Sequence, residues 1–193
     1  MNETGFPPKE KSFQKPQPED QSASVAPWYK DGLRFTCQRC GRCCSGPSGL
    51  VEASYGEARA MAQELGMEWE EFLEQAALEY EGSFFMKEVR CRHGFDCILL
   101  DRFKKDGHEI TGCMARNSRP IQCRTWPFWP EVITSPQTWK LFRKRCPGIG
   151  VGELHPLEEI EAKAAQTHDP TAAPPRMLLR GHRLRMFSGS IQD

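Results

Sequence analysis

Cys37, Cys40, Cys43 and Cys44 place four thiols within eight residues, in the run FTCQRCGRCCSG. A Cys-x2-Cys spacing lets one turn aim two sulfurs at one centre. Soft thiolates select zinc, iron–sulfur clusters or Cu(I) over hard cations. Five more cysteines follow singly: Cys91, Cys97, Cys113, Cys123 and Cys146. Zinc would take four sulfurs at about 2.3 Å, and two such sites would use eight of the nine thiols. Yet the usual zinc framework answers one Cys-x2-Cys pair with another. Here the later cysteines stand alone, and no His-x3–5-His occurs.

Iron–sulfur chemistry is the competing reading. Cys-x2-Cys-x2-Cys followed by Cys-Pro is the bacterial ferredoxin arrangement. Cys37, Cys40 and Cys43 match its first part, and Cys146-Pro147 echoes the second from roughly a hundred residues away. An iron–sulfur cluster, the 4Fe–4S type favoured, is therefore the expected cofactor, with Zn2+ the alternative. Side chains of successive residues usually diverge, so Cys43 and Cys44 are expected to serve two centres, or one centre and a structural thiol. Four clustered and four distant sulfurs suit one or two centres that tie the ends of a domain together.

The chain around these thiols has 193 residues, room for one domain with tails. Its 26 basic and 26 acidic side chains leave no net charge, which argues against a nucleic-acid partner. Hydrophobic residues make up 38 %, a thin core that metal or covalent links would reinforce. The N-terminal stretch lacks the basic and apolar regions of a secretory signal. No run approaches the ~18 apolar residues of a membrane span. A cytoplasmic setting is the expectation, where close cysteines bind metal rather than pair as disulfides.

Residues 1–27 are rich in Pro, Lys, Glu, Gln and Ser and read as a disordered tail. Residues 28–168 form the cysteine-cluster domain, with Ala26 to Tyr29 docking onto it. Ala58, Met61, Ala62 and Leu65 recur at helical spacing up to Gly66, and a second helix runs from Glu68 to about Tyr80. Residues 57–81 carry eight Glu and one Arg, the solvated face of this helical hairpin. Residues 84–150 read as short strands and turns, with a β-hairpin turning at Ser135-Pro136-Gln137. This half is basic, thirteen Lys or Arg against six Asp or Glu, and densest at Arg143-Lys144-Arg145. That charge balances the acidic hairpin or a thiolate-bound metal. A short helix from Leu154 to about Gln166 precedes a flexible basic tail, 169–193. The expected fold is a small, irregular α+β domain, with a helical hairpin beside short antiparallel strands, stapled by metal.

Taken together, C-x2-C-G-x-C-C at Cys37 to Cys44, Cys97-Ile98-Leu99-Leu100, Gly112-Cys113, Arg119-Pro120 through Cys123-Arg124-Thr125-Trp126-Pro127-Phe128, and Cys146-Pro147-Gly148-Ile149-Gly150 form an ordered pattern. It resembles the YkgJ-type cysteine-cluster family, described as a zinc- or iron-chelating domain, over residues 33–150. The resemblance implies Cys37, Cys40, Cys43, Cys44, Cys97, Cys113, Cys123 and Cys146 as ligands, with Cys91 outside the pattern. A similar segment in flagellin lysine methylases looks like an Fe–S site, which leans toward iron without transferring the methylase activity. Met114-Ala115-Arg116 departs from the family's apolar-aromatic pair.

Arg119 and Arg124 flank Cys123. As cofactor-binding residues they would offset the negative charge of thiolate ligands, or they simply bond carbonyls in the Pro-bounded corner. Trp126, Phe128 and Trp129 would keep water out. His93 and His108 are weaker ligand candidates. Three functions compete: an iron–sulfur protein with a redox or accessory role and a redox or protein partner, a zinc-stapled interaction module, and an enzyme with an open metal position. The last is the weakest, because no acid–base pair or cofactor loop accompanies the cysteines.

Overall fold

The computed structural model describes residues 26–105, 107–166 and 180–181, without the side chains of Lys105, His108 and Glu109. The tails read as disordered or flexible, 1–27 and 169–193, lie outside the described residues except at 26–27 and 180–181.

Trp28 docks the chain as expected: its Nε1 donates to the Ile133 carbonyl at 2.7 Å. Strand β1 (Leu33–Phe35) follows, then a 3-10 turn at Arg42–Cys44 and the short strands β2 (Ser45–Gly46) and β3 (Glu52–Ala53). Helix α1 (Tyr55–Glu64) opens on a capping box: Ser54 Oγ accepts from the Glu57 amide while the Glu57 carboxylate accepts from the Ser54 amide. It buries Ala58, Met61 and Ala62, and Gly66 ends it at φ +66°.

Helix α2 (Trp69–Gln75) is shorter than its pattern suggested. The Ala77–Tyr80 half is strand β4, paired with β5 (Ser83–Met86). Glu81 and Gly82 both take positive φ (51° and 80°), the geometry of a two-residue hairpin turn. Pairing across that turn overrides the helix propensity of Ala77 and Leu78.

Strands β6 (Glu88–Cys91), β7 (Gly94–Cys97), β8 (Leu100–Lys105) and β9 (His108–Cys113) continue as hairpins. After the short helix α3 (Ile121–Thr125), the expected hairpin at Ser135-Pro136-Gln137 is instead helix α4 (Pro136–Phe142). Ser135 Oγ caps the Thr138 amide at 3.1 Å, and Pro136 sits in the first turn, where no N–H is needed. Strand β10 (Ile149–His155) takes the start of the expected last helix, so α5 begins at Leu157 and runs to Gln166.

Among the described residues the result is an α+β fold of four small antiparallel sheets: β1-β10, β2-β7-β6, β3-β5-β4 and β8-β9. Two apolar clusters form the core. Ala58, Met61, Phe72, Phe84, Met86 and Leu99 build one. Leu33, Phe128, Val132, Trp139, Ile149 and Ile160 build the other. Among the described residues no helix is long and apolar enough to cross a membrane.

Candidate metal centre

Between the two apolar clusters lies a cavity of about 300 Å3, bounded by Met86 and Leu99 from one and Val132 and Phe142 from the other. Cys37, Cys43, Cys44, Cys97, Cys113 and Cys123 all line it. They come from separate parts of the chain, and local geometry explains each.

The 3-10 turn presents Cys43 and Cys44 together. Gly41 precedes it in the left-handed region (φ +67°), and a Cβ there would stand 2.8 Å from Thr111 Oγ1. Thr111 lies on β9, and both its amide and its hydroxyl donate to the Arg39 carbonyl, at 3.3 and 2.5 Å. The cysteine loop is thereby pinned to β9. Just after the turn, Ser45 pairs with Asp96 across β2 and β7, which brings Cys97 near Cys44. Asp96 is almost fully buried. It accepts from Ser45 Oγ (2.5 Å) and from both terminal nitrogens of Arg102 (2.6 and 3.0 Å), and the Arg102 bonds hold its carboxyl down at about 2. Register places Cys113 opposite Leu100, at the β8–β9 end beside Cys97.

Cys123 is set by α3, whose first turn is held from two sides. Glu57 Oε1 accepts from the Ile121 amide (2.6 Å), and the Gln122 side chain accepts from the Glu52 amide (3.0 Å). Helix α1 and strand β3 therefore fix the helix that carries this thiol.

The electrostatics divide the sulfurs. Cys43 and Cys44 Sγ lie 3.5 Å apart. The hydrogen bond from Cys44 lowers the Cys43 thiol to about 7, with help from Arg119 and Arg145, and the same bond together with burial raises Cys44. Burial pushes Cys97 up to about 12 and raises Cys113 and Cys123 too, each further raised by neighbouring sulfurs. A cavity that disfavours several thiolates at once is one where added positive charge has a large effect. A coordinating cation deprotonates thiols outright.

The side chains of Cys43 and Cys44 do not diverge as expected: the 3-10 turn holds their sulfurs 3.5 Å apart, and both residues line this cavity. Cys40 is exposed and off the cavity lining. Cys146 is buried in the second apolar cluster, where burial raises its thiol and the Trp126 indole N–H opposes that shift. Trp126 Nε1 is buried and has no hydrogen-bond partner among the described residues, although it lies close enough to Cys146 to lower that thiol. Cys40 and Cys43 are the sulfurs whose charge reaches Cys146. Among the described residues, no three His, Cys, Asp or Glu side chains stand close enough to hold a single metal ion. The sulfurs border a shared space instead.

Of the two flanking arginines, Arg119 lines the cavity and donates Nε to the Arg116 carbonyl at 3.1 Å. Arg124 points elsewhere, its Nη2 bonding Glu57 Oε1 at 3.1 Å. Arg116 and Arg145 also border the cavity. From sequence, Arg116 stands only within a departure from the family pattern, and Arg145 within the densest stretch of the basic half. Trp126 and Trp129 form an edge-to-face pair on the lining (centroids 4.8 Å), whereas Phe128 is fully buried in the core beneath. Cys91 and His93 are off the lining, and the Cys91 thiol bonds Asp96. The His108 side chain lies outside the described residues. No protein-family model matches the chain, and no solved structure matches it.

Proposed function

We propose that the chain is a cysteine-cluster metal protein that holds an iron–sulfur centre and serves a redox or accessory role with a protein partner, in the cytoplasm. The observation that carries this reading is six thiols, from the 37–44 loop, β7, β9 and α3, around one cavity of about 300 Å3. The donor set fits: sulfur suits iron–sulfur clusters, zinc or Cu(I) and disfavours hard cations. A space ringed by thiols suits a group of several atoms better than one zinc ion, which draws four sulfurs to about 2.3 Å. The ordered resemblance to the YkgJ-type family supports the same reading.

Cys43, Cys44, Cys97, Cys113 and Cys123 would hold the group, with Cys37 at the cavity rim. When bound, a cluster supplies reversible one-electron chemistry. Arg119 and Arg145 put positive charge beside the thiolates. Trp126 and Trp129 would exclude water from one wall. A zinc-stapled interaction module remains the second reading, because zinc accepts the same donors and structural zinc supplies about 10–16 kcal/mol toward folding.

The test compares single substitutions in the full chain. Cys97→Ser and Cys123→Ser are expected to lose most of the bound metal, and Cys91→Ser to retain it. Equal loss from all three, or from none, contradicts the assignment.

A further inference from the structure

Glu88 opens β6, an edge strand of the β2-β7-β6 sheet, yet the residue is nearly buried, at 8 % exposure. Ser48 Oγ and the Gly49 amide donate to it at 2.6 and 2.8 Å. These bonds fix the carboxylate from within the domain. Its remaining partner comes from the far end of the chain: Arg180 Nη1 bonds Glu88 Oε2 at 2.5 Å. The same guanidinium lies over the Phe95 ring, 3.7 Å from its centroid, well inside cation–π range. Backbone contacts accompany the side chain. Arg180 forms a parallel bridge with Glu88, and the Gly181 amide donates to the Glu88 carbonyl at 2.9 Å.

We propose that the Glu88–Phe95 edge is a peptide-reading site for an arginine–glycine pair in extended chain, occupied in cis by Arg180-Gly181. Each part of the motif has a physical requirement. A buried carboxylate needs a cation, and a planar guanidinium satisfies both the carboxylate and the flat ring, which an ammonium does less well. An open sheet edge offers main-chain hydrogen bonds to an incoming strand. The position after the arginine is tight: a Cβ on Gly181 would stand 3.2 Å from Lys87 Cβ and 3.4 Å from Ile98 Cδ1. Glu88 and Phe95 also border a small cavity, about 60 Å3, that reaches Cys43, Cys44 and Cys97. The site therefore shares walls with the sulfur cavity, and an exchange of the bound segment occurs beside it.

The experiment uses a fluorescent peptide of residues 177–184 and the full-length chain, read by anisotropy. Tethering gives the cis segment a millimolar effective concentration, so wild-type protein competes with the probe. The Arg180→Ala chain is expected to bind it at least tenfold more tightly than wild type. A probe with Ala in place of Arg180 is expected to show no saturable binding, and one with Val in place of Gly181 to bind at least tenfold more weakly. Phe95→Leu placed in the Arg180→Ala chain is expected to weaken binding while leaving the melting temperature of that chain unchanged. Absence of binding to the Arg180→Ala chain, or equal binding of the arginine-free probe, overturns the proposal. Equal binding to wild type and the Arg180→Ala chain overturns the cis occupancy. So does a wild-type dimer that becomes monomeric on Arg180→Ala, which would put the segment on a second copy.

Discussion

Cys43 Sγ lies 3.5 Å from Cys44 Sγ, although the two residues are adjacent and an extended backbone would point them apart. The 3-10 turn holds both on one side, along the cavity, and Gly41 makes the turn possible. The pair also shares a proton unequally: Cys44 keeps it and Cys43 is lowered to about 7.

That inequality sets an order of thiol reactivity, since the thiolate is the nucleophile. In metal-free protein at pH 7, alkylation by iodoacetamide is expected to modify Cys43 much faster than Cys97 or Cys123, which burial holds protonated. Time-resolved peptide mass spectrometry reads the order. Cys97 reacting as fast as Cys43 contradicts the electrostatic description of the cavity. Loading the metal is expected to protect all three.

Gly41→Ala tests how the cysteine loop is held. The substitution places a side chain at φ +67° and 2.8 Å from Thr111 Oγ1. Left-handed strain alone costs about 1–2 kcal/mol, and the clash adds to it. Urea melts of the metal-free chain are expected to lose about 2 kcal/mol or more. Gly49→Ala, with nothing within 4 Å of its Cβ, is expected to stay within about 0.5 kcal/mol of wild type. Equal behaviour of the two variants shows that the turn does not depend on Gly41.

Acid is expected to loosen α3 from α1. Burial pushes the Glu57 carboxyl up, but hydrogen bonds from Ser54 and Ile121 and the charge of Arg124 outweigh it and hold it below its ordinary value. Glu64 is lowered in the same way by Ser118 and Asn117. Groups depressed in the folded state contribute stability above their unfolded pKa of about 4.3 and lose it as pH falls through the folded value. The contribution of these two carboxylates is therefore expected to be flat from pH 7 to about 5 and to decline below that. Glu57→Gln is expected to show a shallower decline in urea melts. An unchanged acid slope in that variant removes Glu57 from the account.

Much of this was readable from residue types, and the failures have identifiable causes. The end of α1 at Gly66 was legible because glycine alone takes that φ without strain. The end of α2 was not, because Ala76 and Ala77 are good helix formers and the strand that starts at Ala77 depends on pairing with β5. Ser135-Pro136 signals both a turn and a helix start, and only the buried Trp139 decides between them. Strand β10 carries Gly150 and Gly152 and exposes most of its side chains, so no alternation marked it; its partner β1 lies more than a hundred residues earlier. The thiols were evident from their count and spacing. The inward pairing of Cys43 with Cys44 was hidden, since it rests on Thr111. Arg119 and Arg124 both flank Cys123 in sequence, and only the position of Glu57 on α1 separates their roles.

The central claim is most directly tested by purifying the full chain without oxygen, recording its visible spectrum, and measuring iron, acid-labile sulfide and zinc. A brown protein with matching amounts of iron and sulfide is expected. A colourless protein holding stoichiometric zinc contradicts it.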